Sequence, residues 1–135
     1  MPEQYFHEKD SSVKTAFGNL QNIVPKKVEG DSHAGSGKIQ ISTGVTDKQV
    51  VANFPSPAGG LKSLVLVSTV DLTVEFNSSG SPTATIALKA GVKYDWDTNS
   101  YDTCKQTVAT TAIYISNASG QTGEFLYDAI FDGTP

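Results

Sequence analysis

The sequence predicts an all-β fold: an antiparallel β-sandwich of about eight strands, jelly-roll-like, with an extended N-terminal arm. Three observations carry this expectation. From Lys38 onward, apolar residues recur with a period of two. Clusters of Gly, Pro, Asn and Ser interrupt that pattern at hairpin-like spacing. Ser and Thr together fill 28 of 135 positions and Gly fills 12, a composition better suited to sheet and loop than to a helical bundle. A chain of this length makes one domain, whose core needs neither disulfides nor metals.

Residues 1–37 read as an arm and linker, and 38–135 as the sandwich. In the arm, Tyr5, Phe6, Val13, Phe17, Leu20, Ile23 and Val24 are too widely spaced for one strand. Phe17, Leu20 and Val24 fall at helical spacing, but Gly18 and Pro25 limit any helix to a turn or two. Gly30 to Gly37 has the composition of a flexible linker. A segment with aromatics and no core of its own is either draped on its own domain or ordered by a partner surface, and an arm that orders on a partner is the expected case. Tyr5, Phe6, Phe17, Leu20 and Ile23 would be its anchors, with Lys26 and Lys27 at the rim.

The strands follow in order. Ile39 and Ile41 alternate with polar neighbours, and Gln49 to Phe54 is stopped by Pro55 and Pro57. Ser63 to Ser68 is apolar on both faces, so it must lie centrally or beneath a second layer, from its own chain or from a neighbouring subunit. Leu72, Val74 and Phe76 make one buried row, and Ala84, Ile86 and Leu88 the next. Val92, Tyr94 and Trp96 alternate with Lys93, Asp95 and Asp97, which fall on the wet face. Ile113 and Ile115 oppose Ala112 and Tyr114, and Phe125, Tyr127, Ala129 and Phe131 close the series. An immunoglobulin-like sandwich is the alternative, but its two cysteines flanking a tryptophan are missing, so the jelly roll is preferred.

Charge narrows the partners. All ten basic residues are Lys, Arg is absent and the net charge is −4. That argues against nucleic acid, whose phosphates and guanine edges favour Arg. No run of 18 apolar residues exists, so no helical membrane span is expected. Met1 to Phe6 lacks the features of a signal peptide, so Sec-type export is not expected.

No catalytic signature is present, and neither enzymatic activity nor a cofactor is expected. Gly35-Ser36-Gly37-Lys38 looks like the end of a P-loop, but Ile39 stands where a hydroxyl belongs and a strand follows instead of a helix. Asp95, Asp97 and Asn99 match the first ligands of a calcium loop, and Asp102 could join them. The turn glycine and the bidentate glutamate are missing, so solvated carboxylates are the simpler reading. Trp96, with Tyr94 and Tyr101, could instead form a sugar-binding platform, although the parity of Tyr94 and Trp96 favours core packing. His7 and His33 have no sequence neighbour suited to orient them. The single Cys104 reads as a small buried residue. Asn77-Ser78-Ser79 and Asn117-Ala118-Ser119 fit the glycosylation pattern and read as turns.

From Val65 to Asp132 the order of segments carries a resemblance. A Val-rich strand leads to Asp71-Leu72-Thr73-Val74-Glu75-Phe76-Asn77 and a Gly-Ser turn; Ile86-Ala87-Leu88-Lys89-Ala90-Gly91 and Tyr94-Asp95-Trp96 follow. After a polar loop come Ile113-Tyr114-Ile115-Ser116-Asn117-Ala118-Ser119-Gly120 and a Phe/Tyr strand. This layout, over half the chain, resembles the small β-sandwich virion proteins of tailed bacteriophages, including capsid decoration proteins and minor tail or fibre components. The resemblance implies a structural protein of the virion, made in the host cytoplasm. As a decoration protein it would bind the major capsid protein or another virion protein. The expected assembly is a homo-oligomer, a trimer above all, since threefold sites recur on icosahedral shells. Carbohydrate- or host-receptor-binding modules share related patterns and supply the alternative.

Overall fold

The structure is a computed structural model that describes residues 5–9 and 26–133, with side chains from Val28 to Gly133. Among the described residues there are eleven strands: β1 (Tyr5–Lys9), β2 (Lys26–Gly30), β3 (Ser32–Gly35), β4 (Ile39–Ile41), β5 (Lys48–Phe54), β6 (Leu61–Ser68), β7 (Leu72–Phe76), β8 (Ala84–Leu88), β9 (Tyr94–Asp97), β10 (Thr110–Ser116) and β11 (Gly123–Phe131). No helix among them is long and apolar enough to cross a membrane.

Two antiparallel sheets make the sandwich. One runs β3-β11-β6-β9, with β4 also paired to β11, and the other runs β5-β10-β7-β8. From β4 to β11 the chain changes sheet at every step except the β7–β8 hairpin. That repeated crossing is jelly-roll connectivity, and it decides against the immunoglobulin-like alternative. The expected rows are the ones that fill the core: Leu64 and Leu66, Val74 and Phe76, Ile86 and Leu88, Ile113 and Ile115, Phe125 and Tyr127 are all buried. Each such side chain contributes roughly 1.5–3 kcal/mol relative to exposure. One residue departs from its row: Val92, expected beside Tyr94 and Trp96, precedes β9 and is 62% exposed.

The Gly/Ser segment expected to be a linker is instead part of the sheet. Ser32–Gly35 pairs with Phe131–Asp128, and Ile39–Ile41 pairs with Phe125–Gly123, so β3 and β4 are one interrupted strand along β11. Ser36 stitches the break: its N–H donates to the Tyr127 carbonyl at 3.0 Å, and its Oγ accepts from the Tyr127 N–H at 3.1 Å. The P-loop look-alike is therefore strand and bulge. Gly35 is there for close approach, since a Cβ would stand 3.0 Å from Asp128 Oδ1 and 3.1 Å from His33 Nε2.

The outer face of β6 and β11 is covered by the same chain. Ser63 and Ile130 are register partners that point away from the core, yet neither has more than 1% of its surface exposed. The strand β2 packs against both β6 and β11. Its Val28 is buried, and a Cβ on Gly30 would lie 2.6 Å from the Phe131 carbonyl oxygen and 2.8 Å from Ile130 Cγ2. The second layer that Ser63 to Ser68 requires is thus supplied internally at this end, by residues expected to reach for a partner. Of the expected arm anchors, Tyr5 and Phe6 lie in β1, which pairs with β2, and Lys26 and Lys27 lie in β2. Their side chains, and Phe17, Leu20 and Ile23 altogether, lie outside the described residues.

Asp31 fastens this layer to the end of β11. Its Oδ1 accepts from the Gly133 N–H at 2.6 Å and from Ser32 Oγ at 3.0 Å, and its own N–H donates to Asp132 Oδ1 at 3.3 Å. The Gly133 N–H, and then the Ser32 hydroxyl, hold the Asp31 carboxyl below its usual range.

Removing residues 1–30 uncovers Ile130 and Ser63, so the truncated protein is expected to melt lower than the full chain in a thermal scan. Gly30→Ala should destabilise by about 1–3 kcal/mol in chemical denaturation, because the obstruction is backbone and a packed isoleucine. A truncated protein that melts at the full-chain temperature would remove β2 from the core account. Because the folded pKa of Asp31 is depressed, its contribution is present above the unfolded value and fades as pH falls through the folded one. The difference in Tm between wild type and Asp31→Asn should therefore shrink as pH is lowered from about 6 to about 3.

Candidate functional site

The flank between β8 and β9 is where the sandwich is open, because each ends its sheet. Alternation along β9 turns Tyr94 and Trp96 toward that opening, and the loop after β9 folds back over them. Trp96 Nε1 donates to the Asp102 carbonyl at 3.0 Å. Tyr94 Oη accepts from the Lys105 N–H at 3.0 Å and lies 3.9 Å from Cys104 Sγ. Trp96 and Cys104 join the buried core, with Tyr94 packed against it. The parity argument for both aromatics therefore holds.

Burial pushes the Tyr94 phenol up to about 12, so it stays a neutral hydrogen-bonding group at physiological pH. Burial likewise raises the Cys104 thiol, which keeps it protonated and a poor nucleophile. The loop returns to the sheet through Gln106, which is wholly buried. Its Oε1 accepts from Thr83 Oγ1 at 3.0 Å, and its Nε2 donates to Thr110 Oγ1 at 3.0 Å. Asn77, at φ 69°, completes the anchorage: its Nδ2 donates to the Ala109 carbonyl at 2.8 Å and its Oδ1 accepts from the Thr111 N–H at 2.8 Å.

The carboxylates expected on the wet face of β9 do not share one environment. Asp95 is exposed and lies 3.6 Å from Lys93 Nζ. Asp97 is buried, with Oδ1 accepting from the Asn99 N–H at 2.7 Å and its own N–H donating to Ser100 Oγ at 3.0 Å. Asp97 and Asn99 thus build the turn that the calcium-loop spacing imitates. Among the described residues, no group of three or more His, Cys, Asp or Glu side chains could hold a metal ion.

Two further placements escape a reading along the chain. His33 on β3 meets Asp128 on β11 through Nε2 and Oδ1, a contact between residues 95 positions apart. His7 lies in β1, its side chain outside the described residues. Asn117 is a structural asparagine: its buried Nδ2 donates to the Ile41 carbonyl at 3.1 Å and the Gln121 carbonyl at 2.8 Å.

What remains open on the β8–β9 flank is a cleft of 480 Å³ lined by Lys93, Tyr94, Trp96, Tyr101, Asp102 and Lys105, among others. Tyr101 is fully exposed beside it. The cleft has an apolar wall and charged groups at its rim, an arrangement suited to binding. No protein-family model and no curated protein matches the chain.

Gln106→Leu should lower stability by about 2–4 kcal/mol, because it removes the buried carboxamide that ties the buried Thr110 hydroxyl to Thr83 at the surface. Equilibrium urea denaturation measures it, and an unchanged midpoint would mean that the loop is held elsewhere.

Proposed function

We propose that this chain is a non-enzymatic structural protein of a bacteriophage particle, of the capsid-decoration kind, which binds the outer lattice as an oligomer. The jelly-roll connectivity supports this reading, since that architecture serves in viral capsids as well as in lectins. The polar interior supports it too: the buried Gln106 and Asn117 and the partly exposed Asn77 all hold loops and strands in place.

The observation that carries the proposal is the open edge of β5. This seven-residue strand ends its sheet, contains no proline, carries no charge from Gln49 to Phe54, and leaves Val51 70% exposed. The other edges of the two sandwich sheets are shorter than β5, whose own interruptions are Lys48 at its start and a register irregularity opposite Thr110 and Ala112. β3 and β4 are short and interrupted, β9 has four residues and carries Asp95 and Asp97, and β8 has five residues. A long and largely uncharged edge invites aggregation unless a partner uses it, and its main-chain groups fit a neighbour's strand by sheet extension. Lattice attachment then relies on β5, while the β2 segment of the arm serves its own sandwich.

Co-sedimentation tests the reading. The protein should pellet with purified capsids of its phage in a fixed ratio to the major capsid protein, and light scattering should report an oligomer, a trimer being expected. Val51→Lys places a charge on the edge and should weaken attachment at least about tenfold, roughly 1.4 kcal/mol, without lowering Tm. Pelleting with tails instead of capsids would move the protein to a minor tail or head–tail position. Failure to pellet with either would sink the proposal.

A further inference from the structure

The cleft on the β8–β9 flank continues beyond the loop. A second cleft of 260 Å³, lined by Ile86, Leu88 and Lys89 and by Val92, shares Lys93, Tyr94 and Lys105 with the first. The two form one groove along the side of the sandwich, within the size range of ligand sites. Exposed apolar side chains stand at both parts of it: Tyr101 beside the first cleft and Val92, 62% exposed, beside the second. Tyr94 lines both parts and Trp96 the first, with their polar atoms already engaged by the Lys105 N–H and the Asp102 carbonyl.

The charges at the groove differ from those of the chain as a whole. In a protein of net charge −4, this groove is lined by three of the ten lysines, Lys89, Lys93 and Lys105, against two aspartates, Asp95 and Asp102. Lys93 stands near Asp95, whereas Lys89 and Lys105 enter no ion pair among the described residues. Asp102 adds a carboxylate that can accept from hydroxyl groups.

We infer that this groove binds an acidic saccharide chain, with Tyr101 stacking on a sugar ring and Lys89 and Lys105 meeting the sugar carboxylates. A sugar presents a C–H face that an aromatic ring covers and hydroxyls that carboxylates and ammonium groups hold. A neutral sugar would use the ring and leave the lysines as bystanders. An acidic peptide would use the lysines and have no need of the ring. A uronate chain uses both and is long enough to span both clefts. This inference goes beyond the particle role proposed above and does not depend on it.

Trp96 is the only tryptophan in the chain and lines the groove, so its fluorescence reports occupancy directly. Titration of the full chain with trigalacturonate at low salt should give a saturable change, with shifts in the amide NMR signals of residues 93–105 as a second readout. Maltotriose and tetraglutamate should each bind at least about tenfold more weakly. Tyr101→Ala, at a fully exposed position, should keep the wild-type Tm and lose at least about tenfold in affinity. Lys105→Ala should weaken binding and flatten its salt dependence, since it removes a screened charge contact. Equal binding of maltotriose would overturn the acidic class, and equal binding of tetraglutamate would make the groove a peptide site. Wild-type affinity in Tyr101→Ala, or no response in either readout up to about 10 mM trigalacturonate, would overturn the inference itself.

Discussion

The pairing of β6 with β11 sets the terms for the other elements, because this central pair is apolar on both faces. Leu64, Leu66, Phe125 and Tyr127 must be covered from one side, and Ile130, with Val65 and Val67 half-buried nearby, from the other. The first requirement brings the β5-β10-β7-β8 sheet across the core. The second brings β2 over the outside, close enough that position 30 has no room for a side chain. Asp31 then joins this outer layer to the backbone just past β11, so the covering strand and the strand it covers are held at one point. A sheet solvated on its outer face would need none of this.

That constraint also explains which parts of the fold were legible along the chain. Rows such as Leu72-Val74-Phe76 and Ile86-Leu88 could be read because each is buried on one side and wet on the other, and a period of two records that difference. The strand β3 could not be read, because its register with β11 depends on Ser36 meeting Tyr127 and on Gly35 leaving space for Asp128. Both are contacts between residues more than 90 positions apart in the sequence, and the local composition of Gly and Ser resembles a linker. The same distance hid the meeting of His33 with Asp128. The choice between jelly roll and immunoglobulin-like connectivity lies in which sheet each strand joins, which periodicity does not encode.

At the groove the division is similar. Parity correctly turned Tyr94 and Trp96 to the core side, but it assigned Asp97 to solvent, where the turn through Asn99 and Ser100 draws it in. The convergence of Lys89, Lys93 and Lys105 depends on how the loop after β9 is fastened by Gln106 and Asn77, side chains with no special pattern in the sequence. The loop closes the dry side of the opening and leaves its outer side as a groove, so core packing and ligand access arise from the same few residues.

The strand order gives the two proposed surfaces a definite relation. In the second sheet β5 and β8 are the opposite ends, three strand spacings or about 14 Å apart. In the first sheet β3 packs near β5, while β9 is at the far end. A neighbour's strand added to β5 therefore extends the sheet away from the β8–β9 flank and occupies none of the groove. Occupancy of one surface does not sterically exclude the other. A saccharide bound between Tyr101 and Lys89 would lie at the far side of the sandwich from a lattice held at Val51. The core between them is dry and closely interleaved, and the loop over the groove is anchored to β7 and β10, next to β5 but not on it.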